Sequence, residues 1–99
     1  MSRVEEFQTG LRHNQWASAQ VSPSGYISNM VTHYDHRGEG HGTDLLQEIT
    51  NNADAAGQEL LLNARADLHP WYGRHGFTVD PEGFALGGLP QLRRPPRHI

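Results

Sequence analysis

The sequence predicts an α/β (α+β) fold, a mixed sheet in which an antiparallel hairpin leads into a strand-helix-strand core. Three observations carry that prediction. The glycines Gly38, Gly40 and Gly42 alternate and run directly into an amphipathic helix. A continuous apolar run, Leu60-Leu61-Leu62, follows that helix, and a cluster of turn formers, Ser22-Pro23-Ser24-Gly25, separates two β-compatible segments ahead of it. A strand, a helix and a strand in this order imply a parallel pair joined by a right-handed crossover.

Taken in order, the elements justify themselves locally. Residues 1–14 stay open between two readings: Val4, Phe7 and Leu11 suit a helical turn and a half, but Thr9-Gly10 interrupts it, and a strand fits nearly as well. Trp16–Val21 and Tyr26–Val31 flank the turn formers and predict the hairpin. Strict alternation puts Ile27, Asn29 and Val31 on one face and Tyr26, Ser28 and Met30 on the other. In the helix, Leu45, Leu46, Ile49, Ala53 and Ala56 make one apolar stripe. Asp44, Gln47, Glu48, Asn51, Asn52 and Asp54 take the remainder, and Gly57 is a natural stop.

Glu59–Ala64 is a short apolar run of the kind a strand buried on both faces carries. Asp67–His75 predicts a short helix with Pro70 in its first turn and Gly76 ending it. Phe77–Val79 is a strand, Asp80-Pro81-Glu82-Gly83 a turn, and Phe84–Leu86 is compatible with one more strand. Pro90, Pro95 and Pro96 make the end irregular, with 93–99 a basic tail.

The 99 residues fit one small domain, 1–99. A chain of this length buries only about two-thirds of the surface its unfolded form exposes, so the core is thin and a homodimer would help it. Hydrophobic residues make up 35% and mean hydropathy is −0.68. Net charge is −3 and pI about 6.1, which argues against a nucleic-acid footprint. No cysteine is present, excluding disulfides, thiolate metal sites and a cysteine nucleophile. No apolar run reaches membrane-spanning length and the start Met-Ser-Arg-Val-Glu-Glu lacks a signal-peptide core, so a cytoplasmic location is the expectation.

The stretch Arg37 to Leu46 reads as an anion cradle. Alternate glycines let the backbone turn with positive φ and let a ligand approach the amides. The first N–H groups of a helix lack internal partners and carry positive partial charge, which a phosphate satisfies; Arg37 adds a planar donor fork. A Walker A loop fits badly, because His41-Gly42-Thr43 supplies no lysine, and a G-x-G-x-x-G dinucleotide fingerprint does not fit strict alternation. The pattern R-x-x-G-x-G, read as Arg37, Gly40 and Gly42 after a strand ending near Val31, resembles the coenzyme A pyrophosphate loop of the GNAT acyltransferases.

A second stretch is similar to the same family. In Ala64-Arg65-Ala66-Asp67-Leu68-His69-Pro70-Trp71-Tyr72-Gly73-Arg74-His75-Gly76-Phe77, a strand leads to a short helix bearing Tyr72, four residues before the Gly-Phe that opens the next strand. Val31-Thr32-His33-Tyr34-Asp35-His36-Arg37 resembles the family's lead-in, with His33 where proline is usual. Gly88-Leu89-Pro90-Gln91 resembles the closing Gly-Ile-Pro-His of the ElaA-like branch. The resemblance covers residues 26 to about 92.

That resemblance implies a GNAT-like fold and acetyl transfer from acetyl-CoA to an amine acceptor. It places the cofactor on Met30, Val31, His33, Arg37, Gly38, Glu39, Gly40, His41, Gly42 and Thr43. The amides from Arg37 to Thr43 would hold pyrophosphate. The splayed strand end at Met30 and Val31 would pair with pantetheine, the Val31 N–H would polarise the thioester carbonyl, and Tyr72 would protonate the departing thiolate. His33, Asp35, His36 and His69 are candidate bases by chemistry alone.

The chain also departs from the family. Glu39 puts negative charge in the loop, Arg65 stands near the place of a frequent Asn, and only 15 residues precede Trp16 where the family has a strand and two helices, so the expectation is that much of the acceptor site is absent or supplied by a partner. His33, Asp35, His36 and His41 match no helical ligand pair, so no metal is expected. The rival reading is a catalytically degenerate GNAT-like module that binds coenzyme A or a protein partner. An exposed group of Trp16, Tyr26 and Trp71 would favour the protein partner.

Overall fold

The computed structural model describes residues 6–32 and 40–97. Within the N-terminal segment left open by the sequence, β1 (Gly10–His13) is a strand that pairs antiparallel with β2 (Ala17–Val21), which pairs antiparallel with β3 (Ile27–Thr32). Helix α1 (His41–Ala56) follows, then β4 (Leu60–Asn63), a single 3₁₀ turn at Ala66–Leu68, the short α2 (His69–Gly73), β5 (Thr78–Val79) and β6 (Gln91–Arg94). The strands form two three-stranded sheets, β1-β2-β3 and β4-β6-β5. No helix among the described residues is long and apolar enough to cross a membrane.

The core lies between α1 and both sheets. Leu45, Leu46, Ile49 and Ala53 are fully buried against Ala17, Ala19, Val21 and Ile27 of one sheet and Leu60, Leu62 and Leu92 of the other. The stripe ends one turn earlier than its spacing suggests, since Ala56 is half-buried. Asn52, expected on the polar face, is buried instead: its Nδ2 donates to the Glu6 C=O at 3.0 Å and its Oδ1 accepts from the Gln8 N–H at 2.8 Å. Those two bonds pin the entry to β1 onto the helix, giving an amide the partners burial demands. Gly57 ends α1 in the left-handed region, as its position predicts.

The hairpin departs from strict alternation. Ser18 pairs with Val31 but Gln20 pairs with Ser28, so β3 carries one residue more than β2 across that interval. Asn29, at φ 54, takes the strain of this bulge, and asparagine is among the few side chains that tolerate that region. The bulge flips everything after it. Met30 packs against the core with Ile27, whereas Val31 is 55% exposed on the other face, the reverse of the predicted pleat.

The predicted parallel pair exists only as one bridge, Tyr26 to Leu61, with the Leu61 N–H donating to the Gly25 C=O at 2.9 Å. Beyond it β3 and β4 part. Leu61 is accordingly half-buried rather than buried on both faces.

The irregular tail proves partly regular. Arg93 and Arg94 belong to β6, the central strand of its sheet, paired antiparallel with β4 on one side and β5 on the other. Flanking prolines and a Gln-Leu-Arg-Arg sequence hide it, because only Leu92 reads as core. Phe84–Leu86, compatible with a strand in the sequence, instead enters a tight turn. The N–H groups of Leu86 and Leu89 each donate to the other's C=O at 3.0 Å around Gly87 and Gly88, both at positive φ.

Candidate functional site

Where β3 and β4 diverge, a wedge of about 340 Å³ opens, lined by Asn29, Met30, Leu62, Asn63, Arg65 and Tyr72 among others. Tyr72 enters it from α2. Its side chain is held by edge-to-face contacts with Trp71 at 4.7 Å and Phe77 at 5.7 Å, and the residue is 7% exposed. Burial pushes its phenol above the ordinary 10.0, so it stays protonated at neutral pH.

The start of α1 stands beside this wedge. Gly40 caps the helix at φ 84, ψ 8, a conformation that explains glycine there, and no side chain caps the turn. The first turn is gripped from two sides. Asn14 Nδ2 donates to the His41 C=O at 2.9 Å and the Trp16 ring stands edge-on to His41; from α2, Trp71 Nε1 donates to Thr43 Oγ1 at 3.2 Å. Asp44, exposed in the same turn, is the negative charge nearest to it along the helix. A rigid helix start with a positive end is suited to hold an anion.

Of the sequence-predicted residues, His33, Arg37, Gly38 and Glu39 lie outside the described residues, as do the candidate bases Asp35 and His36. Gly40 is the helix cap, and His41, Gly42 and Thr43 form the first turn of α1 rather than a loop. Met30 and Tyr72 line the same wedge. Val31 lines a separate apolar hollow of about 430 Å³ with Leu11, His13 and Trp16 on the opposite face. His69 is engaged: its Nε2 lies 2.9 Å from the Ala64 C=O, which commits that nitrogen as a donor and puts the lone pair on Nδ1. Arg65 is exposed and pairs with Asp67 at 3.3 Å. Trp16, Tyr26 and Trp71 are each half-buried, so the exposed aromatic group that would mark a protein partner is not formed.

Two residues at the wedge escaped the sequence reading. Asn29 makes the bulge, and Asn63 ends β4 with its amide directed at three partners. The signal for Asn63 was an amide closing an otherwise apolar run.

Residues 13–92 match the model of the acetyltransferase (GNAT) domain. No curated protein matches the chain. Among solved structures it resembles an acyl-CoA N-acyltransferase from Pseudomonas aeruginosa at 26% identity, TM-score 0.66, over 80% of this chain and 60% of that one. It resembles ElaA from Escherichia coli at 21% identity, TM-score 0.61, over 79% and 57%. It also resembles N-acetylglutamate synthase from Neisseria gonorrhoeae, solved with coenzyme A and N-acetyl-glutamate, at 15% identity, TM-score 0.65, over 87% and 25%. The chain thus spans at most about three-fifths of the length of these three proteins. The family match covers most of its residues, and the splayed strands beside a glycine-capped helix agree with it: the chain belongs to the GNAT acetyltransferase family.

Proposed function

We propose that this protein transfers the acetyl group of acetyl-CoA directly to an amine. The observation that carries the reading is the wedge itself. Two parallel strands touch once, at Tyr26 and Leu61, then part, with a protonated tyrosine between them and a helix start capped by glycine, without a side-chain cap, alongside. Each feature matches one part of the donor. The helix start and the residues before it, from Arg37 to Thr43, suit pyrophosphate. The unpaired strand edges suit an extended arm carrying two amides, as pantetheine does.

In this reading the amine nitrogen attacks the thioester carbonyl carbon. The Val31 N–H donates to the carbonyl oxygen as negative charge grows there. The C–S bond then breaks and the thiolate takes the Tyr72 phenolic proton, while the nitrogen, cationic after attack, gives up a second proton to solvent and solvent returns one to the phenolate. The acceptor nitrogen must be neutral when it attacks, so its proton leaves beforehand, to solvent or to a base. The reading includes a cytoplasmic location and a homodimer. For the dimer the support is the hollow beside Val31, where Leu11 and Val31 are 60% and 55% exposed.

Calorimetric titration of acetyl-CoA tests the donor site without knowledge of the acceptor. Wild type binds; Gly40→Glu, which brings a carboxylate to the helix start, loses binding. Gly40→Asn, which tolerates the left-handed backbone without adding charge, keeps most of it. Absence of wild-type binding overturns the reading. Binding that survives Tyr72→Phe while acetyl transfer to a panel of amines is lost separates an enzyme from a binding module.

A further inference from the structure

We propose that Asn63 is a positioning residue that sets the width of the wedge, acting as a strap across the point where backbone pairing between β3 and β4 stops. The proposal rests on the donor-binding reading above.

Parallel pairing ends at the Tyr26–Leu61 bridge, and Asn63 lies two residues further along β4, toward the open end. With Leu60 and Leu62 buried in the core, alternation puts Leu61 and Asn63 on the other face. There the Tyr26 hydroxyl donates to Asn63 Oδ1, so a side-chain bond carries the cross-strand connection past the last backbone one. The amide nitrogen is used twice more. Nδ2 donates to the C=O of Phe84 at 2.7 Å and of Leu89 at 2.9 Å, the two limbs of the tight turn between β5 and β6.

The three bonds require an amide. Two carbonyls need two N–H donors and the hydroxyl needs an acceptor, so the orientation of the side chain is settled by its partners. Aspartate would confront the carbonyls with a third oxygen, and leucine would satisfy none of them. One side chain therefore couples three elements: the start of β3, the end of β4 and the 84–89 turn, whose Leu89 also lines the wedge. Phe84 is 89% exposed, so little apolar packing holds that limb of the turn. The reciprocal Leu86–Leu89 bonds close the turn on itself, and it is tied to the end of β4 by Asn63 and by the Ala64 N–H, which donates to the Pro90 C=O at 3.2 Å.

A strap of this kind acts on the pantetheine arm and not on the nucleotide end of the donor. The experiment compares calorimetric binding of coenzyme A with that of 3′-phospho-ADP, its head without the arm. Tyr26→Phe deletes only the hydroxyl bond, and Asn63→Leu deletes all three. Coenzyme A affinity is expected to fall about fivefold in Tyr26→Phe and about twentyfold in Asn63→Leu, the scale of one and of two to three neutral hydrogen bonds partly replaced by water. Affinity for 3′-phospho-ADP is expected to stay within twofold in both variants, roughly the error of the method, which also reports that the variants are folded. Equal losses for both probes, or no loss for coenzyme A in either variant, overturn the strap. Wild type that binds 3′-phospho-ADP but gains nothing from the arm also overturns it. Wild type that binds neither probe fails the donor reading itself, and the strap with it.

Discussion

Replacing Arg94 with methionine tests whether the last strand is held to helix α1 by its buried charge. The Arg94 side chain is 4% exposed and that of Asp54, on α1, is 20% exposed. The guanidinium donates from Nη1 and Nη2 to Asp54 Oδ1 and Oδ2 at 2.7 and 2.9 Å, and from Nε to the His75 C=O at 2.6 Å. One side chain thus joins α1, β6 and the turn after α2. Removing one partner of a buried ion pair costs about 3–5 kcal/mol, because the other charge is left without its counterpart. Asp54 keeps the Arg97 N–H at 2.8 Å and some contact with water, which puts Arg94→Met at the lower end, about 3 kcal/mol. In a domain of this size that is a fall in Tm of about 12 °C or more. The double variant Asp54→Leu/Arg94→Met should recover about half the loss, since two apolar groups in contact leave no charge stranded. Urea and thermal melts of the wild type, both single variants and the double variant decide it. A loss below about 1 kcal/mol in Arg94→Met, or a double variant no better than the worse single one, refutes the argument.

The same cluster sets the acid sensitivity. The Arg94 hydrogen bond, helped by the Arg97 N–H and both positive charges and opposed by burial, holds the Asp54 carboxyl below its ordinary 3.8. The unfolded chain binds that proton first, so the stability contributed by Asp54 is present above about pH 4 and is lost as pH falls through the lower folded value. His75 shifts in the same sense: burial, then the charges of Arg94 and Arg74, push its imidazole below 6.5. Its contribution to stability therefore declines as pH drops below about 6.5, and is fully lost once the folded imidazole also protonates. In Arg94→Met one of those charges is gone, and the His75 ring resonances should titrate closer to 6.5.

Three further predictions follow from local geometry. A Cβ on Gly25 would lie 2.0 Å from the Glu59 C=O oxygen at φ +88, so Gly25→Ala should cost about 2–4 kcal/mol, read as a lower urea midpoint; an unchanged midpoint would show that the bridge is not tightly held. Tyr72→Phe should lower kcat for acetyl transfer about 10²-fold or more while acetyl-CoA affinity holds, and an unaltered kcat excludes the phenol as the acid. Asn52→Leu should cost about 1–2 kcal/mol and speed hydrogen exchange at the Gln8 amide selectively, because that N–H loses its only acceptor in α1.

What the sequence made legible were the elements whose own residues decide them. Helix α1 announces itself through Leu45, Leu46, Ile49 and Ala53 and stops at Gly57; the hairpin announces itself through Ser22 to Gly25. Elements decided by distant partners were hidden. β6 exists because β4 and β5 flank it, and Arg94 is buried there because Asp54, forty residues earlier, receives its charge. The N-terminal strand was ambiguous for the same reason, since β1 has mostly exposed side chains and is defined by its pairing with β2. Of the candidate site, the short helix bearing Tyr72 and the start of α1 were legible from motif spacing, whereas Met30 was put on the face away from Ile27 and packs with it instead. Val31 was put on the wrong face because a one-residue bulge inverts a period-two pattern, and the residue that makes it, Asn29, looks like any polar strand position.

The bulge and the single bridge have one physical consequence in common. Alternate β3 residues beyond Tyr26 have backbone groups on the side away from β2 that a continuous parallel sheet would have satisfied, and alternate β4 residues have groups facing them. In most sheets such groups are paired, because burying them alone costs about 1–3 kcal/mol each. Here the strands stay apart without that loss because the wedge is open to water. The strand edges are thereby kept competent to hydrogen-bond a ligand whose own backbone is extended and carries amides. Closing the wedge would add sheet pairing and fill the cavity that Tyr72 lines. Stability and the proposed donor binding thus pull in opposite directions at this junction, which Gly25 marks at the bridge, Asn29 at the bulge and Asn63 at the end of β4.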